Sequence, residues 1–271
     1  SYKETKNGGY YKLKYYKLMN DIDFSNSEFI PIGYSPNDAS ISARTTKYSF
    51  QGDFDGNGYT IKNITYNLTQ ISSVEGVSYG LFGMLWGDGI NNGSIYNLSV
   101  DNMNVNIDFK TNHHKDMRVG IIAGHLGQNS SIKNCIVTNS KITYSATEIG
   151  NGKKMAIGGI VGETSGNASS DTSGWAFFDT STGGYGIENC FSNVDIIAND
   201  DSWEEDYTRI KFRRFSIGGI VGSFCNVNKF PKSSIYKGTI QTTKAIAGPI
   251  FGYGEFSEGV EWSYLNAFSA Y

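Results

Sequence analysis

Proline is scarce in this chain, with 4 in 271 residues, and cysteine and histidine number only 3 each. Cys135, Cys190 and Cys225 are too few and too widely spaced for a disulfide framework or a paired-cysteine zinc site. Charged residues make up 18% of the chain, below the roughly 25% of an average domain. With 23 basic and 26 acidic side chains the formal charge is −3, which gives no general attraction for nucleic acid or an anionic membrane. No run of about 18 apolar residues occurs, so no transmembrane helix is expected. Disordered, collagen-like and coiled-coil classes are excluded by the same composition.

Glycine is abundant instead, at 33 residues against an average share of roughly 7%. Many glycines with few prolines fit tight turns between hydrogen-bonded strands, because proline removes a ladder donor and glycine permits the left-handed corner. The glycines recur in one phrase: Tyr79-Gly80-Leu81-Phe82-Gly83, Val119-Gly120-Ile121-Ile122-Ala123-Gly124, Ile157-Gly158-Gly159-Ile160-Val161-Gly162, Ile217-Gly218-Gly219-Ile220-Val221-Gly222 and Ile246-Ala247-Gly248-Pro249-Ile250-Phe251-Gly252. A fixed phrase with uneven intervals is a repeat that carries insertions.

A second phrase recurs as Thr60-Ile61-Lys62-Asn63-Ile64, Ser94-Ile95-Tyr96-Asn97-Leu98, Ser131-Ile132-Lys133-Asn134-Cys135, Gly186-Ile187-Glu188-Asn189-Cys190 and a degenerate Ser234-Ile235-Tyr236-Lys237. Each copy is short, rich in β-branched residues and bounded by Gly, Asn or Ser, as strands are. A third strand with alternating apolar positions follows, as in Val100 to Ile107, Val137 to Tyr144 and Val194 to Ala198. Three short strands per repeat without crossover helices predict an all-β parallel solenoid. Asn63, Asn97, Asn134 and Asn189 are expected to stack at one corner as a ladder of amides, since Asn tolerates φ > 0. Cys135 and Cys190 hold equivalent positions and are expected to stack as small buried apolar groups, with a disulfide as the open alternative.

Gly80-Leu81-Phe82-Gly83 and Gly159-Ile160-Val161-Gly162, together with Phe50 to Ile61, Tyr16 to Phe24 and Pro31-Ile32-Gly33, resemble the bacterial GLUG-motif repeat proteins from about Tyr10 to about Gly252. The resemblance implies a right-handed parallel β-helix, exposed on or secreted from a bacterial cell. Such a segment belongs to adhesin-like proteins or is an accessory part of large surface proteases, and the resemblance implies no catalytic residues. One domain over 1–271 is expected, with 1–49 as an N-terminal cap, 50–252 as repeat coils and 253–271 as a C-terminal cap or linker.

Sites for chemistry are sparse. Asp53-Phe54-Asp55-Gly56-Asn57-Gly58 has the oxygens of a calcium loop but Ile64 stands where an EF-hand needs Glu, so a capped turn is expected. Gly124-His125-Leu126-Gly127 and Arg209-Ile210-Lys211 resemble fragments of pectin-type hydrolases, but order and spacing fail: Asp200 and Asp201 follow His125 where that family's aspartates precede its His, and the interval from His125 to Arg209 is too long. His113 and His114 have only Asp116 near in sequence, too few for a metal site. No catalytic residue, metal or cofactor is assigned.

Loops that leave the same corner of stacked coils gather on one side, where repeat proteins often bind. One family follows the glycine phrase (Met84 to Asn92, His125 to Ser130, Glu163 to Tyr185, Ser223 to Ser233). The other precedes it (Asn67 to Ser78, Val105 to Arg118, Thr143 to Met155, Asn199 to Ser216). Trp86, Trp175, Phe177, Tyr185, Trp203, Tyr207 and Arg209 in these loops are the candidate ligand contacts, because flat rings beside polar groups suit sugar faces or peptides. The opposing expectation is that such rings bury themselves under their own loops. The reading is therefore a bacterial cell-surface or secreted recognition module for a glycan or host protein. The alternatives are a polysaccharide lyase or glycoside hydrolase on the same scaffold and a structural spacer within a larger surface protein.

Overall fold

The computed structural model describes residues 14–33, 49–69, 77–87, 93–109, 117–127, 129–146, 154–164, 186–200, 214–224, 231–243 and 245–254. Among these the fold is all-β, in four sheets whose strand pairings are parallel. Sheet I holds Lys14–Lys17, Gly52–Asp55, Gly93–Tyr96, Ser130–Lys133 and Ile187–Glu188. Sheet II holds Ile22–Asp23, Thr60–Leu68, Ser99–Phe109, Ile136–Ala146 and Phe191–Asp200, then Ile235–Tyr236 and Ile240–Thr242 side by side against the last long strand. Sheet III holds Val77–Tyr79, Met117–Gly120, Lys154–Gly158, Arg214–Gly218 and Ile246–Gly248. Sheet IV holds Phe82–Leu85, Ala123–Leu126, Val161–Thr164, Val221–Phe224 and Phe251–Gly254.

From Val77 onward the chain passes through sheets III, IV, I and II in that order and then begins again. Each full repeat thus has four strands, not the three expected, because the glycine phrase is itself a turn between two strands. Nothing polar marks that turn. Its tip residues Leu81, Ile121, Ile160 and Ile220 are buried, and each turn's tip hydrogen-bonds the next through Leu81 N to Ile121 O (2.9 Å) and Ile160 N to Ile220 O (3.0 Å). Burying such a side chain stabilises by about 1.5–3 kcal/mol, which holds the reversal inside the protein rather than on its surface.

Ring contacts fix the order of the layers. Phe54 of sheet I meets Phe82 of sheet IV at 5.4 Å, while Tyr66 and Tyr144 of sheet II meet Tyr79 and Phe215 of sheet III at 5.7 and 5.6 Å. Sheets III and IV meet through glycine: a Cβ on Gly162 would lie 2.4 Å from Val119 N, and one on Gly222 2.5 Å from Ile157 N. Gly124 and Gly252 stand equally close to Tyr79 N and Ile217 N, at 2.4 Å each. The order is therefore I, IV, III, II, with a seam of bare backbone at the centre. Met117–Gly120, Ala123–Leu126, Val161–Thr164 and Val221–Phe224 of sheets III and IV are buried along their whole length, polar residues included. The outer strand Gly93–Tyr96 alternates buried and half-buried residues.

The asparagine corner forms as two ladders rather than one. Asn189 donates its amide to Asn134 Oδ1 (3.3 Å), Asn134 to Asn97 Oδ1 (3.2 Å), and Asn97 to Asp55 Oδ1 (3.3 Å). Asn63 lies elsewhere: it donates to Asp23 Oδ1 (2.9 Å) and accepts from Asn102 (2.9 Å). Thr60 pairs with Ser99 and Ile61 with Val100 in sheet II, whereas Phe54 pairs with Ile95 in sheet I. Ser99-Val100-Asp101-Asn102 carries the same hydroxyl, β-branched, any, Asn pattern as Ser94-Ile95-Tyr96-Asn97, so composition cannot separate the two strands. The degenerate copy is displaced in the same way, with Ile235 opposite Phe191 in sheet II. All of these asparagines take the left-handed conformation, with φ of 61° at Asn63, 55° at Asn97, 52° at Asn102 and 52° at both Asn134 and Asn189.

Ser233 continues the first ladder's backbone, at φ 49°, directly after the bridge of Lys232 to Glu188. A serine gains nothing there, while left-handed φ costs a residue other than Gly, Asn or Asp about 1–2 kcal/mol. Ser233→Asn is expected to raise the melting temperature by about 2–4 °C, read by a circular-dichroism melt. An unchanged or lower midpoint would count against the strain.

Candidate functional site

Sheets III and IV run back to back from a tip that points at the asparagine corner, since a Cβ on Gly159 would lie 2.3 Å from Ser192 Oγ. Their other ends therefore share one edge, away from that corner. Sheet III strands begin at this edge with Val77, Met117, Lys154 and Arg214, and sheet IV strands end at it with Leu85, Leu126, Thr164 and Phe224. Both insertion families spring from it. They are shorter than the sequence suggested, because strands extend to Phe109, Ala146 and Asp200 on one side and begin at Met117 on the other.

Of the candidate contacts, Trp86 is described. Its backbone N–H donates to Phe50 O (3.2 Å), its ring centroid is 6.3 Å from that of His125 in an edge-on contact, and it is half-buried. The ring lies over Gly127, where a Cβ would be 2.0 Å from Cε3. Trp86 is thus packed against the next turn, as a buried satellite ring would be, with one part left accessible. Trp175, Phe177, Tyr185, Trp203, Tyr207 and Arg209 lie outside the described residues, as do His113, His114 and Asp116.

The edge also holds a buried ion pair. Arg118 Nε of sheet III donates to Glu163 Oε2 of the next turn's sheet IV strand, and both side chains are nearly buried, at 11% and 5% exposed. His125, 2% exposed, holds the register position next to Glu163 in sheet IV, with Met84 before it and Ser223 after. Sequence reasoning had set Arg118 in a polar loop, Glu163 at the head of an insertion and His125 among chance matches. The available signal was their place, each within two residues of a phrase glycine. A charge pair at such burial is stable only when both partners remain, so it fixes the base from which the insertions depart.

Asp55 behaves as the capped turn required. It accepts from Asn57 N–H (2.8 Å), Tyr15 Oη (2.9 Å) and Asn97, with Lys17 Nζ at 3.9 Å, while Asn57 and Gly58 take positive φ. Burial alone would raise its pKa, but the bonds from Asn57, Tyr15 and Asn97 outweigh it and hold the carboxyl below the ordinary range. The same carboxylate pushes the Tyr15 phenol up to about 12. Among the described residues no group of three or more His, Cys, Asp or Glu could hold a metal ion.

Asp23 is held down to about 2 by hydrogen bonds from Ser25 and Asn63, with Lys62 nearby. A depressed carboxylate contributes stability above its unfolded value of 3.8 and loses it as the pH falls through the folded value. The melting difference between the parent chain and Asp23→Ala is therefore expected to be full at pH 6 and to shrink from about pH 4 to about pH 2. A difference independent of pH would show that the ladder's base does not rest on this charge.

Cys135 and Cys190 are free and buried, stacked at the corner as expected. No helix among the described residues is long and apolar enough to cross a membrane.

No family model matches the chain, and no curated protein does. Among solved structures the chain is similar to a Bacteroides ovatus protein described as a candidate immunoglobulin A1 protease, with a TM-score of 0.54 and 22% identity. The match covers 90% of this chain and 56% of that one, so the chain spans little more than half the length of its neighbour. A likeness at this identity is one of fold.

Proposed function

We infer that the chain is a right-handed β-solenoid of the GLUG-repeat kind that acts at or outside a bacterial surface as a non-catalytic recognition module for a glycan or host protein. One observation carries the reading: all the strand ends that bear insertions share a single edge, while the asparagine corner is short and regular. A scaffold that gathers its variable segments on one side, over a rigid base of paired charges and bare backbone, suits display of a binding surface. The aromatic residues of those segments would supply flat partners for sugar rings or apolar peptide groups. The neighbour's description as a protease concerns a much longer chain; for this chain it supports a place beside catalytic machinery rather than chemistry of its own.

The test is binding of the purified chain to an array of glycans and extracellular proteins, beside a variant with Trp175, Phe177 and Trp203 all changed to Ala. The expected result is binding by the parent that the variant loses while melting at the same temperature. No binding to any class would overturn the reading and leave the spacer role.

A further inference from the structure

We propose that Cys135 and Cys190 form a dithiol–disulfide site that, oxidised during folding, staples two successive turns of the chain. The two residues hold the same corner position in adjacent turns. Phe191 N donates to Cys135 O (2.9 Å), and the side chains of the preceding Asn189 and Asn134 are bonded to each other at 3.3 Å. The column runs Leu98, Cys135, Cys190 and Ser234, with Ile136 N bonded to Leu98 O and Ile235 N to Cys190 O at 2.9 Å each. Neighbouring strands lie about 4.8 Å apart, inside the span of about 4.4–6.8 Å between α-carbons that a disulfide bridges. Side chains of one orientation start with their β-carbons at about that same strand spacing, so the bridge draws the two turns together by a few tenths of an ångström to reach the roughly 3.5–4.5 Å that it needs.

Both thiols now point at backbone carbonyls of their own turn, Cys135 Sγ at Lys133 O (3.2 Å) and Cys190 Sγ at Glu188 O (3.4 Å). The two side chains share one orientation, so rotation about the Cα–Cβ bonds turns the sulfurs toward each other. The site belongs to the interior: the residues are 0% and 2% exposed. Burial pushes the Cys135 thiol well above its ordinary pKa, and burial of both residues keeps a bulky disulfide reagent away from the sulfurs in the folded protein. Exchange therefore proceeds before the two turns close.

The oxidant is a small-molecule disulfide of the glutathione class. One cysteine thiolate attacks it, forms a mixed disulfide and releases one glutathione thiolate. The second cysteine thiolate attacks the protein sulfur of that mixed disulfide and releases the other. Two protein thiols are oxidised to one disulfide, and one glutathione disulfide is reduced to two thiols.

The test uses the full chain carrying Cys225→Ser, unfolded and reduced, then refolded with glutathione disulfide or with a reductant. Oxidative refolding is expected to give a monomer lighter by two hydrogens, with no thiol titratable in denaturant, against two after reductive refolding. The oxidised chain is expected to melt about 5–10 °C higher, as a cross-link over a long loop should. Two remaining thiols, a retained glutathione or a disulfide-linked dimer would each overturn the site. If Cys225→Ser does not fold, peptide mapping of the oxidised parent chain decides: a Cys135–Cys190 link supports the site, and a link through Cys225 or none overturns it.

Discussion

Gly162→Val is expected to abolish cooperative folding. A Cβ at this position would sit 2.4 Å from Val119 N, 2.7 Å from Gly124 O and 2.9 Å from Arg118 C. All three are backbone atoms, held in ladders on both sides, so no side chain can swing away. Ordinary overpacking costs about 1–3 kcal/mol because neighbours adjust. Here the adjustment is separation of the two central sheets, and a loss beyond about 4–5 kcal/mol is a large part of a domain's whole stability of roughly 5–15 kcal/mol. Gly159 and Gly219 are as tightly placed, with Cβ positions 2.1 Å from Gly219 O and 2.2 Å from Pro249 O. Gly58→Ala is the control. Nothing lies within 4 Å of a Cβ there, and the only penalty is its φ of +79°, about 1–2 kcal/mol. Urea titrations of the two variants should differ in kind, one lacking a folded baseline and the other shifted modestly. A Gly162→Val chain with a normal transition would mean that the central seam is looser than drawn.

Arg118→Met is expected to destabilise by about 3–5 kcal/mol, because it leaves the Glu163 carboxylate buried without its cation. Glu163→Met should cost a similar amount by leaving the guanidinium behind. Changing both to Met removes the charges together and is expected to recover most of the loss, since well-packed apolar replacements of buried ion pairs are close to neutral. The cycle of four proteins, compared by denaturant midpoint, gives the coupling directly. Additive single losses would show that the two charges do not depend on one another. The pair joins one turn to the next at the edge that carries the insertions, so the double variant also asks whether binding needs that base to be ionic.

Much of the fold was legible because backbone geometry wrote it into residue choice. Left-handed corners favour Asn or Gly, and a seam without room demands Gly; both recur from turn to turn, so the repeat and the parallel all-β class could be read from spacing. The fourth strand was hidden because the turn inside the glycine phrase is capped by buried Ile and Leu rather than by polar residues. Asn63 was set in the wrong ladder because two strands of each turn end in the same short pattern, and only the pairing of Thr60 with Ser99 tells them apart. Arg118 and Glu163 are 45 residues apart, and no local signal joins charges on different turns. Trp86 alone among the named contacts could be placed, and it is packed.

The asparagine ladders give the molecule a direction. Each amide in them donates toward the N-terminal turn, Asn134, Asn97 and Asn63 also accept from the turn that follows, and each row ends on a carboxylate, Asp55 or Asp23. Small dipoles aligned in a row reinforce one another, with their positive ends facing the acid. The two extremities are thus chemically unlike, and a further turn laid in register fits in one sense only. Parallel pairing fixes which way each strand runs; the amides fix which way the stack counts.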